Sequence, residues 1–135
     1  MDDNILSKLK MLGGLVNVGN TCWFNTALQC LCNVSHLSHY ILIDKEIESD
    51  INKDSNEFDI LIQFRQNLIN LLQNKVVRPI NLLKLINNYC KRKNISLHFG
   101  RQEDSHEFLL FILDWLHESI KCSAELTYDG KPKNN

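Results

Sequence analysis

One cysteine, Cys22, stands where the turn-forming run Asn17-Val18-Gly19-Asn20-Thr21 meets the apolar sequence opened by Trp23-Phe24. A free cysteine has a pKa of about 8.5, so little of it is thiolate at neutral pH. The unpaired N–H groups and the dipole at a helix start favour an anion and lower that value, and a neighbouring imidazole lowers it further. Acyl transfer by a thiolate also needs a donor for the oxygen that gains charge. Asn17, five residues upstream in the same turn, carries a side-chain amide that could reach such an oxygen. The same residues also read as a small core thiol and a turn former, and spacing alone leaves both readings open. The junction marks Cys22 as the most reactive thiol of the five, ahead of Cys30, Cys32, Cys90 and Cys122.

The elements that must position these residues follow from apolar periodicity. Ile5, Leu6, Leu9 and Leu12 predict a short amphipathic helix over 3–12, within an N-terminal segment 1–13 that Gly13-Gly14 ends. Residues 15–21 read as a connector. A helix is expected from near Cys22, carrying Phe24, Ala27, Leu28 and Leu31 on one side and capped by Asn20 or Thr21. HLSHYIL predicts another short helix, residues 44–56 a polar loop, and 58–72 a strongly apolar helix. Pro79 can start the helix INLLKLINNYC. Residues 91–101 read as a loop containing Gly100. The last helix, about 103–120, bears the stripe Phe108, Leu109, Ile112, Leu113, Leu116 and Ile120. Residues 122–135 read as an unstructured polar tail. Strand signals are weak throughout, so the expected fold class is mainly α, a bundle of helices.

Composition narrows the function. The 135 residues fit one small domain, and 44% hydrophobic with 23% charged residues supports a packed core. A net charge of −1 gives no support to nucleic-acid or anionic-membrane binding, and the short run Lys91-Arg92-Lys93 reads as a solvated end. No apolar span is long enough to cross a bilayer, and the start MDDNILSKLK lacks the pattern of a secretory signal. Five cysteines without framework spacing are expected as reduced thiols in a cytoplasmic or nuclear setting. Cys30-Leu-Cys32 is C-x-C with no second pair, so no metal site and no cofactor are expected.

The string GLVNVGNTCWFNTALQCL, Gly14–Leu31, closely resembles the cysteine box of the ubiquitin-specific proteases, the papain-like cysteine deubiquitinases. Gly14, Leu15, Asn17, Gly19, Asn20, Thr21, Cys22, Asn25, Leu28, Gln29 and Leu31 match it, and Trp23 stands where that box commonly has Tyr. RQEDSHEFLLFILDWL resembles the family's downstream Gln-x-Asp-x-x-Glu-Phe-Leu box through Gln102, Asp104, Glu107, Phe108 and Leu109.

The resemblance implies hydrolysis of (iso)peptide bonds after the C-terminal glycine of ubiquitin, with Cys22 as nucleophile and Asn17 as oxyanion donor. It implies that Gln102, Asp104 and Glu107 bind substrate beside the cleft for ubiquitin's basic tail. Asp104 and Glu107, three apart at a helix start, can oppose arginines. They also form a capping box, Asp104 as N-cap and Glu107 at N3, and the two roles are compatible. The implied fold is the helical thumb-like subdomain of a papain-like (α+β) cysteine protease, over residues 14–121, with the β-rich palm and fingers absent from this chain. The implied partners are ubiquitin or ubiquitinated proteins, and a palm-like half or other chain. The family's catalytic histidine box has no counterpart, because none of His36, His39, His98, His106 and His117 has its context. A non-catalytic ubiquitin-binding or decoy module, or an inert helical interaction domain, is the alternative.

Overall fold

In the computed structural model, which describes residues 13–44, 46–120, 124–126 and 132–134, helices supply the frame. The chain runs β1 (Gly14–Leu15), α1 (Cys22–Cys32), α2 (Ser35–Leu42), α3 (Glu46–Asp50), α4 (Phe58–Leu72), β2 (Val76–Val77), α5 (Ile80–Lys93), α6 (Ser105–Ile120), β3 (Ala124–Leu126) and β4 (Pro132–Asn134). The expectation of a mainly helical chain holds. The expected helix over 3–12 lies outside the described residues.

The helices form because each carries an apolar face that only a shared core can cover. Helix α1 buries Trp23, Phe24, Ala27, Leu28, Leu31 and Cys32, and it packs on α6, which buries Phe108, Ile112, Trp115 and Leu116. Helix α4 packs on both α5 and α6 and contributes Ile60, Leu61, Phe64, Leu68 and Leu71. Phe24, Phe108, Leu71, Leu82, Ile86 and Ile112 have no exposed surface at all. Each such side chain contributes roughly 1.5–3 kcal/mol over its exposed state.

Several expectations are corrected. The segment 44–56 contains α3, because Asp44 Oδ1 accepts from the Glu46 N–H at 2.9 Å and Ile47 plugs into the core. Helix α5 runs past Cys90 to Lys93, where three cations face the helix's negative end and left-handed Asn94 closes it. On α6, Leu113 is exposed, and Trp115 takes the buried place beside Tyr89 and Phe111. The tail is not wholly irregular: β3 pairs antiparallel with β4, Leu126 opposite Pro132 and Ala124 opposite Asn134.

The short connector before α1 is tied down rather than loose. Gly14 and Leu15 pair parallel with Val76 and Val77, and Val16 N–H donates to the Val77 carbonyl at 2.9 Å. Gly13 N–H donates to the Leu71 carbonyl at 3.2 Å. A Cβ on Gly13 would overlap the Lys75 carbonyl oxygen and lie 2.9 Å from that of Leu71, so only glycine lets the chain pass this close to the end of α4.

Candidate active site

The loop between β1 and α1 is built around one side chain. Asn17 Oδ1 accepts from the Gly19 N–H at 3.1 Å, the Thr21 N–H at 3.2 Å and the Thr21 hydroxyl at 3.2 Å. Three donors on the oxygen fix the orientation of the amide and leave its Nδ2 end without a protein acceptor among the described residues. Asn17 is exposed, so that nitrogen is available to an incoming oxygen. Asn25 braces the loop from inside α1, its Nδ2 donating to the Val16 carbonyl at 3.1 Å.

Helix α1 then begins without a side-chain cap. Thr21 occupies the N-cap position, but its hydroxyl is spent on Asn17 and on the Val18 N–H at 3.1 Å, which corrects the expectation that Asn20 or Thr21 caps this helix. The first-turn N–H groups beside Cys22 therefore keep their positive field. Cys22 is exposed at that end, while Trp23 and Phe24 beside it are buried. The Trp23 Nε1–H is buried with no hydrogen-bond partner among the described residues.

The second box meets the first through polar side chains. Cys22 Sγ–H donates to Gln102 Oε1 at 2.9 Å. Gln102 Nε2 donates to Asn20 Oδ1 at 3.4 Å, and Asn20 Nδ2 donates to the Gly100 carbonyl at 3.0 Å. Asn20 adopts a left-handed backbone, φ 50°, between Gly19 and the helix.

Asp104 caps α6. Its Oδ1 accepts from the His106 N–H at 2.8 Å and the Glu107 N–H at 3.3 Å. The Glu107 carboxylate is exposed in the first turn. Gln102 is thus brought onto Cys22, Asp104 performs the capping role, and Glu107 is held on the same helix start facing solvent.

The other described thiols are placed differently. Cys30 is exposed on α1, whereas burial pushes the Cys32 thiol up to about 12 and that of Cys90 to about 11. Cys122 lies outside the described residues. His36, His98, His106 and His117 are exposed and His39 is half-buried, and no histidine ring hydrogen-bonds Cys22 among the described residues. Sequence reasoning missed Asn20 and Gly100 as parts of the site. No local spacing signals them, since the Asn20 amide and the Gly100 carbonyl that accepts from it lie eighty positions apart.

A family model described as "Ubiquitin carboxyl-terminal hydrolase" matches residues 13–134. The chain is 35% identical over 130 residues to ubiquitin carboxyl-terminal hydrolase 12 of Saccharomyces cerevisiae, covering 88% of this chain and 10% of that protein. It is 36% identical over 128 residues to human ubiquitin carboxyl-terminal hydrolase 2, covering 91% of this chain and 20% of that protein. The chain therefore spans a tenth to a fifth of the length of these relatives. A chain in the solved SAGA Ubp8/Sgf11/Sus1/Sgf73 DUB module bound to ubiquitin aldehyde shares its fold, with a TM-score of 0.57 and 20% identity over 85% of this chain and 25% of that one. With the family model covering nearly all of it and both sequence boxes in contact, the chain belongs to the ubiquitin carboxyl-terminal hydrolase family, on the pattern of the ubiquitin-specific proteases.

Proposed function

We propose that this chain carries the nucleophile side of a deubiquitinase active site, cleaving (iso)peptide bonds after the C-terminal glycine of ubiquitin in the cytoplasm or nucleus. The observation that carries the reading is the exposed thiol of Cys22 on an uncapped helix start, preceded by an Asn17 amide whose oxygen is saturated and whose nitrogen is open.

In this reading the Cys22 thiolate attacks the carbonyl carbon of the terminal glycine. The carbonyl oxygen gains negative charge and is met by Asn17 Nδ2–H and by the backbone N–H groups of the first turn of α1. Expulsion of the amine leaves a thioester on Cys22, which water hydrolyses. Gln102 and Glu107, with the outer oxygen of Asp104, line the approach of the basic tail. The general base is supplied by a palm-like half or another chain. A helix dipole contributes under about 1 kcal/mol at an exposed site and does not replace proton transfer.

The test uses ubiquitin carrying a C-terminal electrophile, beside a fluorogenic ubiquitin amide. The 135-residue chain is expected to form a covalent ubiquitin adduct at Cys22, slowly, and to turn over the amide poorly or not at all. Cys22→Ala abolishes the adduct, and Asn17→Ala lowers its rate by about 10²–10³. Ubiquitin binding without any adduct at Cys22 would favour the non-catalytic module instead. Adducts on Cys30 as fast as on Cys22 would refute the nucleophile assignment.

A further inference from the structure

A backbone carbonyl has one polarity, and that fact propagates through the site. Gly100 can only accept, so Asn20 must turn its Nδ2 toward it, as it does at 3.0 Å. Asn20 Oδ1 is then the end facing Gln102, so Gln102 must present Nε2, and the contact is 3.4 Å. That leaves Gln102 Oε1 facing Cys22, and an acceptor can be met only by a protonated thiol, at 2.9 Å. Gly100 itself sits at φ 108°, a backbone region that L side chains rarely adopt.

Resting on the reading of Cys22 as nucleophile, we propose that Asn20 and Gln102 are positioning residues that hold the Cys22 thiol as a hydrogen-bond donor at rest, through a chain of side-chain amides oriented by the Gly100 carbonyl. A hydrogen bond to the neutral form of an acid opposes its ionisation. It acts against the field of the α1 N-terminus, which favours the thiolate. Activation is then a specific movement. The Gln102 amide turns end for end, presents Nε2–H to the sulfur and gives up its bond to Asn20. The same side chain that opposes the thiolate before the turn donates to it afterwards. Gln102 is exposed and can turn without unpacking the core.

The ionisable neighbours are Arg101 and Glu103 on either side of Gln102, Asp104, His106 and Glu107 at the start of the packed helix α6, and Lys84 of α5. Lys84, Asn20 and Gly100 share the lining of a cavity of about 300 Å³. Substitutions confined to Asn20 and Gln102 leave all of these in place, apart from the one charge that Gln102→Glu adds by design.

The experiment measures iodoacetamide alkylation of Cys22 across pH by peptide mass spectrometry. The full 135-residue chain is used, with Cys30 as an exposed internal control. The plateau at high pH, where every accessible thiol is ionised, reports access alone. The displacement of the curve at fixed plateau reports the thiol's hydrogen bonding. Asn20→Ala frees Gln102 to turn, and Gln102→Met removes the acceptor at similar size. Both are expected to move the Cys22 curve to lower pH and raise the plateau-normalised rate near neutrality about two- to ten-fold. Gln102→Glu, which only accepts and adds negative charge, moves the curve the other way. The Cys30 curve stays in place throughout.

Coincident curves for wild type, Asn20→Ala and Gln102→Met would overturn the proposal. So would a shift of Gln102→Glu in the same direction as Gln102→Met. Should Asn20→Ala unfold, alkylation of buried Cys32 and Cys90 reveals it, and the Gln102 pair decides. No ubiquitin enters this measurement. An unmoved curve with intact ubiquitin-electrophile labelling would sink the amide chain alone, and a moved curve without labelling would sink the catalytic reading alone.

Discussion

The indole of Trp23 meets the ring of Phe108 edge to face, with centroids 5.2 Å apart and planes at 82°. One residue directly follows Cys22 and the other follows Glu107, so this contact clamps the two sequence boxes together beneath the polar site. Phe24 and Phe99 close on the same indole at 5.9 and 5.5 Å. Truncation by Phe108→Ala should cost about 3–5 kcal/mol of stability, measured by urea unfolding, because the ring has no exposed surface and its neighbours cannot all collapse. A double-mutant cycle with Trp23→Leu should return a coupling of about 0.5–1.5 kcal/mol. Additive costs would show that the clamp is only burial.

The two acidic residues of the second box should separate by assay. Asp104→Ala removes the acceptor of two first-turn N–H groups and should lower stability by about 0.5–2 kcal/mol. Glu107→Gln, at an exposed position, should leave the unfolding midpoint within about 0.5 kcal/mol of wild type. It should weaken binding to a peptide with the basic, diglycine-ended chemistry of the ubiquitin tail. Equal losses of stability for the two would contradict the division of roles.

Gly13→Ala tests whether the strand pairing carries the loop that leads into Cys22. The added methyl would meet the carbonyls of Lys75 and Leu71, so either the backbone shifts or β1 lifts from β2. A loss of about 1–3 kcal/mol is expected. Faster exchange of the Val16 amide hydrogen, which is bonded to Val77, should accompany it. Unchanged protection at Val16 would show that the loop does not depend on this crossing.

The chain should be labile to alkali, with a calculable sign. Burial raises the Cys32 thiol from 9.0 to about 12 and that of Cys90 to about 11. Their contribution is therefore fully present below pH 9.0 and is lost as pH rises from there toward those values, since the unfolded chain releases the proton first. Tyr40 and Tyr89 are pushed upward too, first by burial and then by hydrogen bonds to Asp50 and Glu57, and they add to the loss. Urea midpoints should fall as pH rises above 9.0, and Cys32→Val should flatten that slope. A midpoint constant to pH 11 would contradict this assignment.

The parts legible in the sequence were those governed by local periodicity. The helix 58–72 is the clearest, since its apolar residues recur on one face over its whole length and its ends coincide with the observed α4. The family resemblance of the cysteine box brought Asn17 and Cys22 together, and the loop geometry gives a reason for the asparagine: its oxygen organises the turn while its nitrogen stays open. What escaped was set by distant partners. Leu113 fits the stripe on α6, yet Trp115 is the residue buried there, because Tyr89 and Phe111 offer a ring-lined place that helical spacing cannot announce. Thr21 has the chemistry of a cap, but Asn17 competes for its hydroxyl. The pairing of Cys22 with Gln102 belongs to the same class of long-range fact.

That pairing also has a direction in time. Cys22 and Gln102 are eighty residues apart. A ribosome adding about 5–20 residues per second needs roughly 4–16 s to make the second after the first. Throughout that interval the nascent chain holds Cys22 with no amide to meet it and no α6 to pack against α1. In that interval Cys30 and Cys32 lack the packing of α6 just as Cys22 does, so lesions acquired then would fall on all three sulfurs, whereas in the folded chain burial withdraws Cys32 and leaves Cys22 exposed.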